Sequence, residues 1–169
     1  RRGQVPGRVT RAHPGRELQG HDRLALYDAA AHEAAAVLVR RYSTSFGLAT
    51  RLLPAEQRTP VRDIYALVRL ADEIVDGATA EAGGDTSVAR AALDGLEERT
   101  EQAMATGYSS DLIVHAFALT ARAAEIGTAL TRPFFASMRT DLDVTVHDEE
   151  SLRTYIHGSA EVVGLMCLR

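Results

Sequence analysis

Tyr65, Arg69, Asp72 and Asp76 stand at offsets 0, 4, 7 and 11 in the run Tyr65-Ala-Leu-Val-Arg69-Leu-Ala-Asp72-Glu73-Ile-Val-Asp76. At about 100° per residue, those offsets fall within roughly 60° of one another around a helix. Ala66, Leu67, Val68, Leu70, Ala71, Ile74 and Val75 fill most of the remaining circumference. Surface helices normally carry a broad polar face. A strip this narrow predicts a mostly buried helix that turns two carboxylates, a guanidinium and a phenol toward an enclosed polar site. Asp72 and Asp76 form an i, i+4 pair, whose Cβ atoms lie about 5–6 Å apart on one helix face. Like charges at that spacing destabilise a helix unless a cation comes between them. Oxygen donors alone suit Mg²⁺, which keeps several waters and is often shared with substrate phosphates; Mn²⁺ is the natural substitute. Arg69, one turn away, could neutralise an acid or grip a phosphate. An exposed acidic face with an Arg69–Glu73 pair fits the same residues, so the strip alone leaves both readings open.

Two other segments hold polar groups of interest. Ser43-Thr44-Ser45-Phe46 places hydroxyls where a helix breaks and restarts. That arrangement serves equally for anion binding at a helix N-terminus and for simple capping. Near the chain end, Tyr155 and Ser159 share a helix face, Gly158 and Gly164 permit close approach, and Glu161 is an unexpected charge among apolar neighbours. No His/Cys metal cluster, nucleophile triad or glycine-rich phosphate loop is visible in the sequence.

The elements that position these groups are helical. The 169 residues suffice for one domain with a sizeable core, and 46% hydrophobic with 25% charged residues is a globular balance. The formal net charge of −4 gives no footprint for a nucleic-acid partner. All 19 basic side chains are Arg, since Lys is absent. A single cysteine, Cys167, excludes an intramolecular disulfide; its apolar run reads as a small buried hydrophobe. Without disulfides, signal peptide or spanning stretch, a cytoplasmic location is expected, with contact to a membrane surface left open. Residues 1–20, rich in Gly, Pro and Arg, read as a disordered basic tail. That tail could touch anionic lipid or phosphate, and a solvated leader fits it as well.

From Asp22 an Ala-rich helix is expected to the break at Arg40–Gly47, then a short apolar helix through Leu52. Pro54 and Glu56 mark the start of the strip helix, which stops near Gly77. Further helices are expected from a Ser87 cap to about Ala105, from Asp111 to about Gly127, from Thr131-Arg132-Pro133 to about Asp143, and, after a linker over 144–148, from Glu149 or Glu150 to the end. With no convincing alternating strand, the fold class is all-α, and residues 21–169 form one helical domain.

Taken together, Tyr42-Ser43-Thr44-Ser45-Phe46 through Arg51-Leu-Leu-Pro54, Ile64-Tyr65 through Asp76, and Tyr155 through Leu168 resemble the squalene/phytoene synthases, the head-to-head trans-isoprenyl diphosphate synthases, in their bacterial phytoene-synthase-like branch. The likeness covers about Asp22 to Arg169. It implies the N-terminal part of an isoprenoid-synthase helical bundle. It also implies Asp72 and Asp76 as Mg²⁺ ligands, Ser43, Ser45, Tyr65 and Arg69 as holders of diphosphate, and Tyr155 near the reacting centre, where it assists proton removal. The implied reaction joins two prenyl diphosphates. Geranylgeranyl diphosphate would give phytoene through a cyclopropyl diphosphate intermediate; farnesyl diphosphate would give squalene or dehydrosqualene.

Three departures qualify the resemblance. Thr44 stands where many members have Lys, and Glu161 where many have Gly. The family's second aspartate-rich motif is not within these residues. These 169 residues alone are therefore expected to be inactive and to belong to a longer protein. A head-to-tail prenyltransferase or terpene cyclase ranks lower, because its pattern is usually denser in Asp. A helical interaction protein that no longer catalyses is the reading from a different class.

Overall fold

Short acceptor side chains start four of the helices, as the free backbone N–H groups of a helix N-terminus require. Ser43 accepts from the Phe46 N–H at 3.1 Å. Asp85 accepts from Ser87 and Val88, Asp111 from Ile113 and Val114, and Asp148 from Ser151. The computed structural model describes residues 20–143 and 148–169. The expected basic tail and nearly all of the 144–148 linker lie outside the described residues.

The helices are α1 (Gly20–Tyr42), α2 (Thr44–Ala49, continued by a 3-10 turn over Thr50–Leu52), α3 (Ala55–Asp76), α4 (Ala78–Glu81), α5 (Thr86–Thr106), α6 (Leu112–Ala123), α7 (Thr128–Asp143), α8 (Glu149–Ile156) and α9 (Val162–Cys167). A π-helical segment, His157–Glu161, joins α8 to α9. No strand occurs among the described residues, so the all-α reading holds.

Helix α3 is the central element, packed by α1, α5, α6, α7 and α9. Its Ile64, Leu67 and Ala71 enter the main core with Leu93 and Leu96 of α5, Val114 and Phe117 of α6, Phe134 and Phe135 of α7, and Val162 and Met166 of α9. On its other side Ala66 meets Ala31, Ala35 and Ala116, small residues that let α1, α3 and α6 approach closely. Helix α5 ends at Gly107, whose φ of +82° is the left-handed conformation that glycine adopts without penalty.

Several boundaries differ from expectation. Asp85, not Ser87, caps α5, because its carboxylate reaches two N–H groups at once. Helix α7 begins at Thr128, one turn before the expected start, with Pro133 inside it. The short α4 occupies residues that gave no helical signal. Cys167 is exposed, not buried, because Val162 and Met166 take the inward positions of α9. Its apolar surroundings raise the thiol pKa, the opposite of an activated nucleophile.

Polar ties also cross the core. His115 is fully buried; its Nδ1 accepts from the Ser109 N–H at 3.2 Å, so its Nε2 carries the proton donated to Asp28 Oδ1 at 2.7 Å. Asp63 of α3 is also fully buried and accepts from Thr120 Oγ1 at 2.7 Å. His32 Nδ1 approaches the same Asp63 oxygen to 2.8 Å, poorly aligned for a hydrogen bond, and Asp63 Oδ1 has no partner. The Asp63 carboxylate raises the His32 pKa against the opposing effect of burial.

The folded protein therefore holds the His32 proton more tightly than the unfolded chain does. That stabilisation is complete below the ordinary value of 6.5 and is lost as pH rises through the raised one. His32→Ala should lower the melting temperature more at pH 6 than at pH 9. A difference of about 1 kcal/mol is expected for this part-exposed pair, roughly 2–4 °C. Equal losses at both pH values in thermal unfolding would contradict this assignment.

Candidate active site

The strip residues of α3 do lie along one edge, but that edge is open among the described residues, not enclosed as expected. The Arg69 and Asp72 side chains are each 32% exposed, and Asp76 is exposed. The apolar sides of α3 are taken up by its neighbours, and the remaining edge faces outward between two groups of aromatic and acidic side chains.

At one end, the break between α1 and α2 supplies aromatic support. The Phe46 ring stacks on Tyr65 with centroids 4.0 Å apart and planes 20° from parallel. The Arg69 guanidinium lies 4.7 Å from the centre of the Tyr42 ring, a cation–π contact. Arg69 also pairs with Glu73 one turn on and reaches Asp72 at 3.9 Å. The Arg69–Glu73 pair, raised as the alternative to a binding strip, is thus present; it coexists with the strip. Arg69 Nε is buried without a partner. Ser43 uses its oxygen to cap α2, and Ser45 is exposed beside it.

At the other end, α7 and α8 bring Asp141 and Tyr155 to the same edge. Tyr155 Oη donates to Asp141 Oδ2 at 3.2 Å, while Ser137 Oγ donates to the Tyr155 carbonyl at 3.3 Å. The closeness of α8 to α7 depends on Gly158, which is buried in the π segment. A Cβ there would meet the Pro133 carbonyl and the Ser137 side chain inside contact distance, with Ser137 Cβ at 2.9 Å. A Cβ on Gly164 would meet nothing within 4 Å among the described residues. Glu161 projects outward, 62% exposed, and pairs with His157 at 2.9 Å.

Charge at this edge is unbalanced. The Asp72 carboxyl is pushed up to about 6, first by burial and then by the charges of Asp76, Asp141 and Glu73, against the lowering effect of Arg69. Tyr155 is raised above the ordinary phenol value by burial, by the charge and hydrogen bond of Asp141, and by Asp76, with Ser159 acting in the opposite sense. Asp141 escaped the sequence reading because it sits on another helix; only the Ser137–Asp141 spacing of four hinted that both face α8. No three His, Cys, Asp or Glu side chains among the described residues converge on one metal position. The Asp72–Asp76 pair still fits a hard divalent cation that takes its other oxygens from water or phosphate. The donors are all carboxylate, and their mutual repulsion is what a cation would relieve.

Comparison with known proteins identifies the family and the fold. The squalene/phytoene synthase family model matches residues 39–169. Phytoene synthase 1 of Zea mays chloroplasts is 31% identical over 137 residues, covering 80% of this chain and 32% of that protein. The phytoene synthase of Mycobacterium tuberculosis is 28% identical over 134 residues, covering 78% of this chain and 41% of its own. A crystal structure of a dehydrosqualene synthase in complex with ligand superposes with a TM-score of 0.71 at 24% identity, covering 87% of this chain and 49% of that one. This likeness establishes a shared fold. The chain belongs to the squalene/phytoene synthase family. It spans about a third to two fifths of the length of the curated relatives it matches. No described helix is long and apolar enough to cross a membrane.

Because Asp72 is protonated more readily folded than unfolded, its ionisation costs stability as pH rises from its ordinary 3.8 to about 6, and the full cost persists above that. In metal-free buffer, Asp72→Asn should melt higher than the unsubstituted protein at pH 7.5, by about 1 kcal/mol after allowance for solvent screening, or 2–4 °C. The advantage should shrink toward zero at pH 4. An advantage that does not change with pH would refute the claim that burial and neighbouring charge raise the Asp72 pKa.

Proposed function

We propose that this chain carries the diphosphate-binding half of a head-to-head prenyl synthase that joins two geranylgeranyl diphosphates into phytoene, a step toward carotenoids. The observation that carries the reading is the carboxylate edge itself: Asp72, Asp76 and Asp141 share one edge, where burial first and the neighbouring carboxylates second push Asp72 up to about 6. Asp72 and Asp76 would hold Mg²⁺. The metal, when bound, supplies Lewis-acid stabilisation of a leaving diphosphate.

The chain's own residues divide the remaining work. Arg69 presents a guanidinium to diphosphate oxygens, kept in place by the Tyr42 face and Glu73. Tyr65, fixed by its stack on Phe46, and the Ser43 and Ser45 hydroxyls add neutral donors at the same end. The apolar sides of the bundle exclude water from an allylic cation. One substrate loses diphosphate, and the other's double bond attacks the resulting cation. Loss of a proton closes the cyclopropane. A second ionisation, rearrangement and proton loss give the hydrocarbon with no reductant consumed. Tyr155, at the acidic end of the edge, is placed to assist a proton transfer. The second set of metal-binding carboxylates would come from the rest of a longer protein, so the 169 residues alone should not turn over.

Chromatographic product analysis of the full-length protein with Mg²⁺ tests the reading. Geranylgeranyl diphosphate should give phytoene, and Asp76→Ala should lower turnover at least about 100-fold with helical content unchanged. Turnover of farnesyl diphosphate alone would move the assignment to dehydrosqualene or squalene formation. Full activity of Asp76→Ala would remove the metal-binding role.

A further inference from the structure

Helix α7 holds Tyr155 at two points. Ser137 Oγ donates to its backbone carbonyl at 3.3 Å, and Asp141 Oδ2 accepts from its hydroxyl at 3.2 Å. Ser137 and Asp141 are one turn apart, so a single face of α7 fixes both the backbone and the ring tip of one residue. Ser137 is 4% exposed, and the Gly158 approach clamps α8 against that face. The π-helical segment immediately after α8 shifts the register of the following turn. Such insertions are frequent at functional sites. Here it lets Gly158 meet α7 while Val162 and Met166 still reach the core.

We infer that Asp141 is a positioning residue for Tyr155: its carboxylate takes the phenol's hydrogen bond and holds the phenol oxygen at the Asp76 end of the α3 edge. The inference rests on the proposed prenyl-synthase reading. Three elements meet here: α3 brings Asp72 and Asp76, α7 brings Asp141, and α8 brings Tyr155. The electrostatic influence of Asp76 on Tyr155, and of Asp141 on Asp72, shows that the four groups share one neighbourhood. A phenol whose proton points at Asp141 turns its oxygen lone pairs away from that carboxylate, on the side where Ser159 also acts on it. Without that acceptor the phenol loses the hydrogen bond that reaches it from α7, and its oxygen is held less closely to the α3 edge.

The test uses the full-length protein and four variants: Asp141→Ala, Asp141→Asn, Tyr155→Phe and the double variant Asp141→Ala/Tyr155→Phe. Asp141→Ala should lower kcat about 10- to 100-fold, the scale of a misplaced catalytic group, with KM changed less than about threefold. Asp141→Asn, which keeps an acceptor oxygen, should recover most of that loss. In the Tyr155→Phe background, Asp141→Ala should cost no further activity. Thermal unfolding in metal-free buffer supplies a reading independent of turnover: the two single-variant shifts should not add in the double variant. Additive losses in kcat and in melting temperature would overturn the inference. So would a Asp141→Ala defect confined to KM or to the Mg²⁺ requirement. If the unsubstituted protein turns over neither diphosphate, the functional reading fails, while the thermal cycle still decides whether Asp141 fixes Tyr155.

Discussion

Helix α3 must be buried on most of its circumference while keeping one edge open for charge. Its apolar residues satisfy the first demand by packing on five other helices. The second demand leaves Asp72 and Asp76 one turn apart with Arg69 as the near cation, so the carboxylates are undercompensated. This is a local cost that the core offsets. Fully buried Phe117, Phe134 and Phe135 each contribute on the order of 1.5–3 kcal/mol of transfer free energy. The cost at this part-exposed edge, about 1 kcal/mol, is small beside a core of that size. The same repulsion is what a bound cation would relieve.

The rest of the site is arranged from outside α3. The α1–α2 break contributes ring faces that hold Tyr65 and Arg69. The α7–α8 contact contributes Tyr155 and a third carboxylate. That contact depends on Gly158, because any side chain there would push the two helices apart. Surface ion pairs between α5 and α7, such as Arg139 with Asp94 at 2.7 Å, add little to stability individually. They do join the helix that carries Asp141 to the helix packed beside α3.

Much of this was legible in the residue pattern because helices obey local rules. The Tyr65–Asp76 strip, the Pro54 and Asp111 starts and the Gly77 stop all follow from spacing and capping within a few residues. Family membership followed from three motifs in the right order. What the sequence did not reveal depends on contacts between helices. The strip's narrow arc implied enclosure, but openness is decided by what packs opposite it. Nothing in the local pattern marks Asp63, yet it is buried against Thr120 and His32. Asp141 is 14 residues from Tyr155, and no helical period links residues on two helices. Cys167 read as buried because its run is apolar; which side of α9 faced inward depended on how α9 met α3 and α7.

The central claim is that the Asp72–Asp76 edge binds diphosphate through a divalent cation. Calorimetric titration of the full-length protein with inorganic pyrophosphate, with and without Mg²⁺, tests it most directly. Pyrophosphate should bind measurably only when Mg²⁺ is present, and Asp72→Ala should abolish that binding. Equal binding without Mg²⁺, or unchanged binding in Asp72→Ala, would contradict the account.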